Sequence, residues 1–166
     1  MIQHRPLRIL LTGGTIDKVH DTQSEGLSFP ETGESHIPGL LQNSRCHFPE
    51  ITPVLQKDSL YFDDADRELI LATVNDALET AIVITHGTGT MGETARFLAG
   101  RCPGKTVVLT GAMRPYSLGR SDAGFNIGGA LIAAQILPEG VYGVMNGRAF
   151  AAAELNKNTQ AGRFDL

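Results

Sequence analysis

The sequence lacks the features that mark proteins that bind nucleic acids or cross membranes. Its 166 residues include 14 lysines and arginines against 18 aspartates and glutamates, so the net charge of −4 offers no basic surplus for a nucleic-acid partner. No apolar run approaches the length of a transmembrane helix, and the stretch at 9–11 is too short for the core of a signal peptide. We therefore expect no nucleic acid, no membrane partner and a cytoplasmic location.

Cysteine and paired histidine are scarce as well. Cys46 and Cys102 stand far apart without a C-x-x-C pattern, which is typical of reduced structural thiols rather than of a disulfide framework. The five histidines are scattered, and no two have the i, i+4 spacing of a helical metal site. The sequence thus predicts neither a bound metal nor metal catalysis.

What the chain does have is an ordinary globular balance, 42% hydrophobic and 19% charged residues, in which apolar runs alternate with helical patterns. This alternation predicts an α/β fold with an open, mostly parallel, Rossmann-like sheet, helices on both faces and a single domain over residues 1–166. Strands are predicted at 8–12, 51–55, 80–85, 105–110 and 141–145. Helices are predicted at 64–78, with a buried face of Leu69, Ala72, Ala77 and Leu78, and at 92–98 and 124–137.

Two stretches lack this regular pattern. Residues 17–42 are rich in Gly, Ser, Thr, Glu and Pro, which predicts a long loop with little regular structure. Loops of this length in compact domains are usually functional or disordered, and we interpret this one as a flexible lid. The stretch after Phe150 ends in polar residues and is expected to be loosely held.

The most informative local pattern is a pair of turns that combine glycine with threonine. Thr-Gly-Gly-Thr-Ile at 12–16 and His-Gly-Thr-Gly-Thr-Met at 86–91 each follow an apolar run. Since open α/β sheets bind ligands beyond the carboxyl ends of their strands, both turns are expected to border one crevice. Hydroxyls and backbone N–H groups there could act on a substrate carbonyl, which predicts acyl transfer. A purely structural role for the glycine turns remains open.

Other motifs favour structural interpretations. Gly-x-Gly-x-x-Gly at 87–92 fits a dinucleotide fingerprint, but the next strand ends without the acidic residue that would hold a ribose. Gly-Lys-Thr at 104–106 enters a strand instead of leaving one, and Gly-x-Ser at 119–121 lacks the second glycine of a nucleophile elbow. His86 is interpreted as structural, with a general-base role as the alternative.

Taken together, the motifs resemble those of one known family, the bacterial-type L-asparaginases. That family carries T-G-G-T-I, H-G-T-D-T-M, G-A-M-R-P and S-A-D-G-x-x-N in this order, and similar segments stand here at 12–16, 86–91, 111–115 and 121–126. Val-Met-Asn at 144–146, followed eleven residues later by Lys157, is similar to the family's lysine-bearing segment. The resemblance covers most of the chain.

The resemblance implies hydrolysis of the side-chain amide of L-asparagine to L-aspartate and ammonia, through an acyl-enzyme and without a cofactor. By position, Thr15 resembles the primary nucleophile. Thr88 and Lys157 resemble the second hydroxyl and the amine that activates it. The substrate-binding residues implied in the same way are Ser59, for the substrate α-carboxylate, the carbonyl of Ala112, for the amide nitrogen, and the turn residues Gly14, Gly87 and Gly89.

The sequence departs from the family pattern in three ways. Gly89 stands where the family has an aspartate that pairs with the substrate ammonium, which predicts weakened activity unless Glu93 or Asp63 replaces it. Residues 17–45 contain no tyrosine, although the family's loop carries a catalytic one, and Tyr61 is the candidate replacement. Members of the family commonly have a second domain of comparable size whose residues complete the neighbouring subunit's site, whereas this sequence of 166 residues resembles the short members, so we expect a homo-oligomer.

Two other functions remain open beside asparagine hydrolysis. The same motifs are similar to those of glutaminases and of ammonia-generating subunits of amidotransferases. The missing carboxylate and tyrosine favour a third possibility, a non-catalytic module that binds an amino acid.

Overall fold

The computed structural model describes residues 2–165, so the two end residues of the predicted domain lie outside the described part. The helices are α1 (Ile37–Asn43), α2 (Asp64–Asp76), α3 (Met91–Leu98) and α4 (Ala123–Ile136), and four short 3₁₀ turns lie in the connecting segments of the described residues. The strands are β1 (Leu7–Gly13), β2 (Val19–His20), β3 (Leu27–Ser28), β4 (Glu50–Lys57), β5 (Ala81–Thr85), β6 (Thr106–Thr110), β7 (Gly140–Met145), β8 (Arg148–Ala151), β9 (Lys157–Asn158) and β10 (Arg163–Phe164).

Six strands form the main sheet in the order β4-β1-β5-β6-β7-β8. The first five strands of this order are parallel, and β8 turns back antiparallel to β7. The predicted open, mostly parallel sheet is thereby confirmed, and its order of parallel strands is the flavodoxin-like one. The chain passes from β1 outward to β4 and then crosses back to β5, which creates a topological switch point between β1 and β5.

Apolar side chains on both faces of this sheet form the core. Alternate residues of β1 and β5 point to opposite faces, so Leu10 and Ile84 pack on one face, whereas Ile9 and Val83 pack on the other. The first face is covered by α2 and α3, and the second by α1 and α4. Because both faces are covered, residues 9–11 of β1 and 81–84 of β5 are apolar without alternation.

Helix α2 forms where the sequence predicts it, but its predicted buried face is wrong. The buried residues are Arg67, Ile70, Leu71 and Val74, whereas Leu69 is 47% and Leu78 93% exposed. The error is one of register, because a shift by one position turns a helix face by about 100°. A capping box between Asp63 and Asp66 fixes where the helix begins.

The stretch at 17–42 contains more regular structure than the sequence predicts. It includes the β2–β3 hairpin and most of α1, whose Ile37, Leu40 and Leu41 are buried against the sheet. The carboxylate of Asp17 accepts hydrogen bonds from Ser35 Oγ and from the His36 N–H, both at 2.8 Å. The expectation of little regular structure is corrected, whereas motion as a lid stays a prediction.

The expectation of a loosely held stretch after Phe150 is also wrong. Strand β8 extends the sheet, and Phe150, Leu155 and Phe164 are buried in its core. Although most residues of this stretch are polar, three widely spaced apolar side chains pack in the core and hold the stretch against the sheet. None of the helices in residues 2–165 is long and apolar enough to cross a membrane.

Candidate active site

The two glycine-threonine turns lie side by side at the switch point of the sheet. Strands β1 and β5 are direct parallel neighbours, with Leu11 opposite Thr85, and each turn begins where its strand ends. In open α/β sheets this is the position where ligands bind, in the crevice beyond the carboxyl ends of the strands. The Thr12 hydroxyl fastens the turns together by donating to the Thr85 carbonyl at 2.6 Å.

Glycine is required where the two turns touch. Gly14 has φ +87°, a left-handed conformation that side chains disfavour, and a β-carbon there would lie 2.5 Å from the backbone nitrogen of Gly87. A β-carbon on Gly87 would in turn collide with Ser59 Oγ. The contact of Gly14 with the Gly87 backbone and that of Gly87 with the Ser59 side chain therefore bring three segments, around residues 14, 59 and 87, into one place.

Ser59 is held at this junction by the second turn. It is 1% exposed and begins a 3₁₀ turn, Ser59–Tyr61, that Asp58 caps by accepting the Leu60 N–H at 3.0 Å. Thr90 donates its N–H to Ser59 Oγ at 3.3 Å and its hydroxyl to the Ser59 carbonyl at 2.8 Å. Since Oγ accepts one bond from Thr90, its own proton is available to a ligand.

The structure also brings together Thr88 and Lys157, which lie 69 positions apart. Lys157 Nζ donates to Thr88 Oγ1 at 2.9 Å, and Thr88 is 7% exposed. Lys157 lies on β9, and the β9–β10 hairpin is anchored by a hydrogen bond from the Phe164 N–H to Asn146 Oδ1 at 2.8 Å and by the buried Leu155. A hydroxyl bonded to an amine is an arrangement that can pass a proton to or from a reacting group.

The remaining predicted residues lie in the same loops. Thr15 is half-buried and begins the 3₁₀ turn Thr15–Asp17 next to Gly14, and Gly89 is exposed beside Thr88. Ala112 is buried just after β6, the neighbour of β5. Asn126 Nδ2 supports its turn by donating to the Gly111 carbonyl at 2.9 Å.

The residues that could replace the family's aspartate and tyrosine are either bonded to other groups or exposed. Asp63 accepts the backbone N–H of Asp66 as the cap of α2, and Glu93 pairs with Arg67 at 3.1 Å. Tyr61 is 73% exposed. Within residues 2–165, no three His, Cys, Asp or Glu side chains are grouped so as to hold a metal ion.

An ion pair that the sequence pattern does not predict connects the loop after Thr15 to the Ser59 turn. Lys18 Nζ lies 2.6 Å from Asp58 Oδ2, and the Lys18 carbonyl accepts the Ser117 hydroxyl at 2.8 Å. Burial raises the pKa of Asp58, but the bonds from Lys18 and the Leu60 N–H outweigh it, so the pKa lies below its usual value. In the sequence, the only indication of this ion pair is the position of Asp58 directly before Ser59, where an aspartate commonly caps a turn.

His86 is placed as a structural histidine. It is fully buried, its Nδ1–H donates to the Gly87 carbonyl at 2.7 Å, and its Nε2 accepts the Thr94 hydroxyl at 2.8 Å. Burial, supported by the nearby Arg67 cation, lowers the pKa of His86 to about 4. The neutral ring thus holds the second turn against α3.

This pKa predicts a pH dependence of stability. The unfolded chain binds the proton with a pKa near 6.5 and the folded chain near 4, so the contribution is complete above pH 6.5 and is lost as the pH falls toward 4. The loss in unfolding free energy over this window is expected to reach about 3 kcal/mol. Urea unfolding of the protein and of a His86→Gln variant across pH 4.5–7.5 measures it. An equal slope in both proteins would contradict the assignment.

The sequence of the chain matches a known domain along almost its full length. The family model for the amino-terminal domain of asparaginases covers residues 6–165. The chain belongs to the asparaginase family. Among its relatives, L-asparaginase 2 of Escherichia coli is 41% identical over 163 residues, which are 91% of this chain and 46% of that protein.

Other asparaginase-family relatives carry more than one name. A probable periplasmic L-asparaginase of Haemophilus influenzae is 30% identical over 164 residues, 92% of this chain and 46% of that protein. A component of the glutamyl-tRNA(Gln) amidotransferase of Methanococcus vannielii is 33% identical over 146 residues, 85% of this chain and 34% of the relative. The chain thus spans less than half the length of these curated relatives.

Proposed function

We propose that this chain is an amidohydrolase that converts L-asparagine to L-aspartate and ammonia through a threonine acyl-enzyme. The hydrogen bond between Lys157 and Thr88, at the point where the Gly14 and Gly87 turns touch, carries the proposal. Two family relatives whose names include asparaginase, those of E. coli and H. influenzae, support it by similarity along more than nine-tenths of this chain.

In the proposed reaction, Thr15 Oγ attacks the side-chain amide carbon and forms an ester, while the amide nitrogen takes up a proton and leaves as ammonia. Water then attacks the ester and releases the acid. Thr88 and Lys157 move protons to and from the reacting groups. Backbone N–H groups of the two turns stabilise the developing oxyanion, and each such donor contributes about 3 kcal/mol. Ser59 and the Ala112 carbonyl orient the substrate. Neither metal nor cofactor takes part.

Gly89 is expected to weaken this activity toward asparagine. Loss of one partner of a buried charge pair costs about 2–5 kcal/mol, which corresponds to a reduction of thirtyfold or much more at ~1.4 kcal/mol for each factor of ten. We further propose that the protein acts in the cytoplasm and as a homo-oligomer, without nucleic acid or membrane partners.

Ammonia release from L-asparagine and L-glutamine, measured in parallel for this protein and a Gly89→Asp variant, tests the proposal. We expect asparagine to be the better substrate of the two and the variant to be the faster enzyme on it. If glutamine is preferred, the proposed function becomes that of a glutaminase. The name of one relative, the "Glutaminase-asparaginase" of Acinetobacter glutaminasificans, favours this alternative. If both folded proteins release no ammonia from either amino acid, the chain is not an amino-acid amidase.

A further inference from the structure

The space above Gly89 is filled by an apolar side chain instead of a charged one. Gly89 does not adopt a left-handed conformation, so its backbone would accept a side chain. A β-carbon there would lie 2.7 Å from Leu60 Cδ2 and 3.3 Å from Leu60 Cγ. Glycine at 89 therefore makes room for Leu60, which is 67% exposed beside the turn.

This apolar surface lies next to the serine that is proposed to hold the carboxylate of the substrate. The same added β-carbon would lie 3.8 Å from Ser59 Oγ. A substrate carbon that bears this carboxylate is thus expected between Ser59 and Gly89, with one of its other substituents against Leu60. A C–H group suits contact with Leu60, whereas an ammonium group there would meet an apolar side chain and gain no charged partner.

The charges around Gly89 also disfavour a substrate ammonium. The Lys157 amine lies beside this turn, and within residues 2–165 no carboxylate forms an ion pair with it. Three carboxylates in the segments that flank the site already have partners. They are Asp58, paired with Lys18 at 2.6 Å, Asp63, bonded to the Asp66 N–H at 2.9 Å, and Glu93, paired with Arg67 at 3.1 Å.

We propose that this site prefers a carboxamide acid whose carboxylate-bearing carbon carries no ammonium group, such as succinamic acid, over L-asparagine. This inference rests on the proposed function, since it assumes that the same hydroxyls attack the amide. The reaction releases ammonia and a dicarboxylic acid, with water as the second reactant. Leu60 and Gly89 are then residues that determine specificity.

Turnover and binding test the inference separately. We expect kcat/KM for succinamate to exceed that for L-asparagine by about tenfold or more. By calorimetry, we expect succinate to bind more tightly than L-aspartate. A faster reaction with asparagine, or tighter binding of aspartate, overturns the inference while leaving the proposed hydrolysis intact. Preferred succinate binding without turnover of any amide supports the inference and defeats the proposed reaction. Turnover of neither amide together with binding of neither diacid overturns both.

Two variants of equal size at residue 89 isolate the charge. Gly89→Asp and Gly89→Asn both require Leu60 to rotate away, but only the first adds a carboxylate. We expect the ratio of asparagine to succinamate turnover to rise by about tenfold or more with aspartate and to stay within about threefold with asparagine. Equal ratios in the two variants would show that the charge at this position does not set the preference.

Discussion

Replacing Lys157 with methionine is expected to reduce kcat for amide hydrolysis by about 10²- to 10⁴-fold, because Thr88 loses the amine to which it is bonded at 2.9 Å. Methionine matches the length of lysine as far as Cε and lacks the terminal nitrogen, so the hairpin should remain folded. Ammonia release at saturating substrate measures the effect, and the thermal unfolding midpoint confirms that the variant is intact.

The same hairpin offers a matched control. Arg163 lies on β10, pairs with Asp165 at 2.7 Å and is 64% exposed, so Arg163→Met also removes one cation from the hairpin. Its turnover is expected to stay within about twofold of the parent, since exposed ion pairs contribute little. Comparable turnover in the two variants would mean that the Lys157 amine has no part in the chemistry.

Replacing Gly14 with alanine is expected to separate the two turns. The new β-carbon would lie 2.5 Å from the Gly87 nitrogen and would be held in a left-handed conformation, so the backbone must move. Strain and overpacking together should lower the free energy of unfolding by about 2–4 kcal/mol. A displacement of about 1 Å between reacting groups should lower turnover by about a hundredfold. Urea unfolding and ammonia release measure the two effects.

The variant Gly100→Ala is a control that separates the two effects of Gly14→Ala, the strain of a left-handed alanine and the collision of its β-carbon with Gly87. Gly100 has φ +75°, close to the conformation of Gly14, but a β-carbon there meets no atom within 4 Å. This variant should lose about 1–2 kcal/mol of stability and keep its turnover. If Gly14→Ala behaves no differently, the contact between the turns is not what assembles the site.

The parts of the fold that the sequence predicts are those governed by local pattern. The apolar run at 81–84 and the glycines that follow Thr85 locate β5 and its turn, because a strand covered on both faces is mostly apolar without alternation. Local pattern does not predict helix α1, because its seven residues include Pro38 and Gly39. This helix is stabilised by the packing of Ile37, Leu40 and Leu41. The predicted face of α2 is wrong because several registers place apolar residues on one side.

The sequence likewise predicts some parts of the candidate site and not others. Strand-end position predicts that the two turns border one crevice, and Gly14 and Gly87 do touch. No rule of spacing connects Lys157 with Thr88, so resemblance to the family is the source of that pair. The bonds from Thr90 to Ser59 depend on how two loops fold over one another, and no local pattern predicts them. For the bond from Lys18 to Asp58, the capping position of Asp58 before Ser59 is the only part that the sequence indicates.

The hairpin that carries Lys157 is built from two strands of two residues each, far shorter than the strands that present the threonines. Short surface elements open locally at a smaller free-energy cost than the central strands of a sheet. Within residues 157–165, Phe164 is the side chain that is buried in the core, so the amine is kept in place by the local stability of this hairpin and by that attachment. Mild denaturants should accordingly inactivate the protein while its spectroscopic signature is still native.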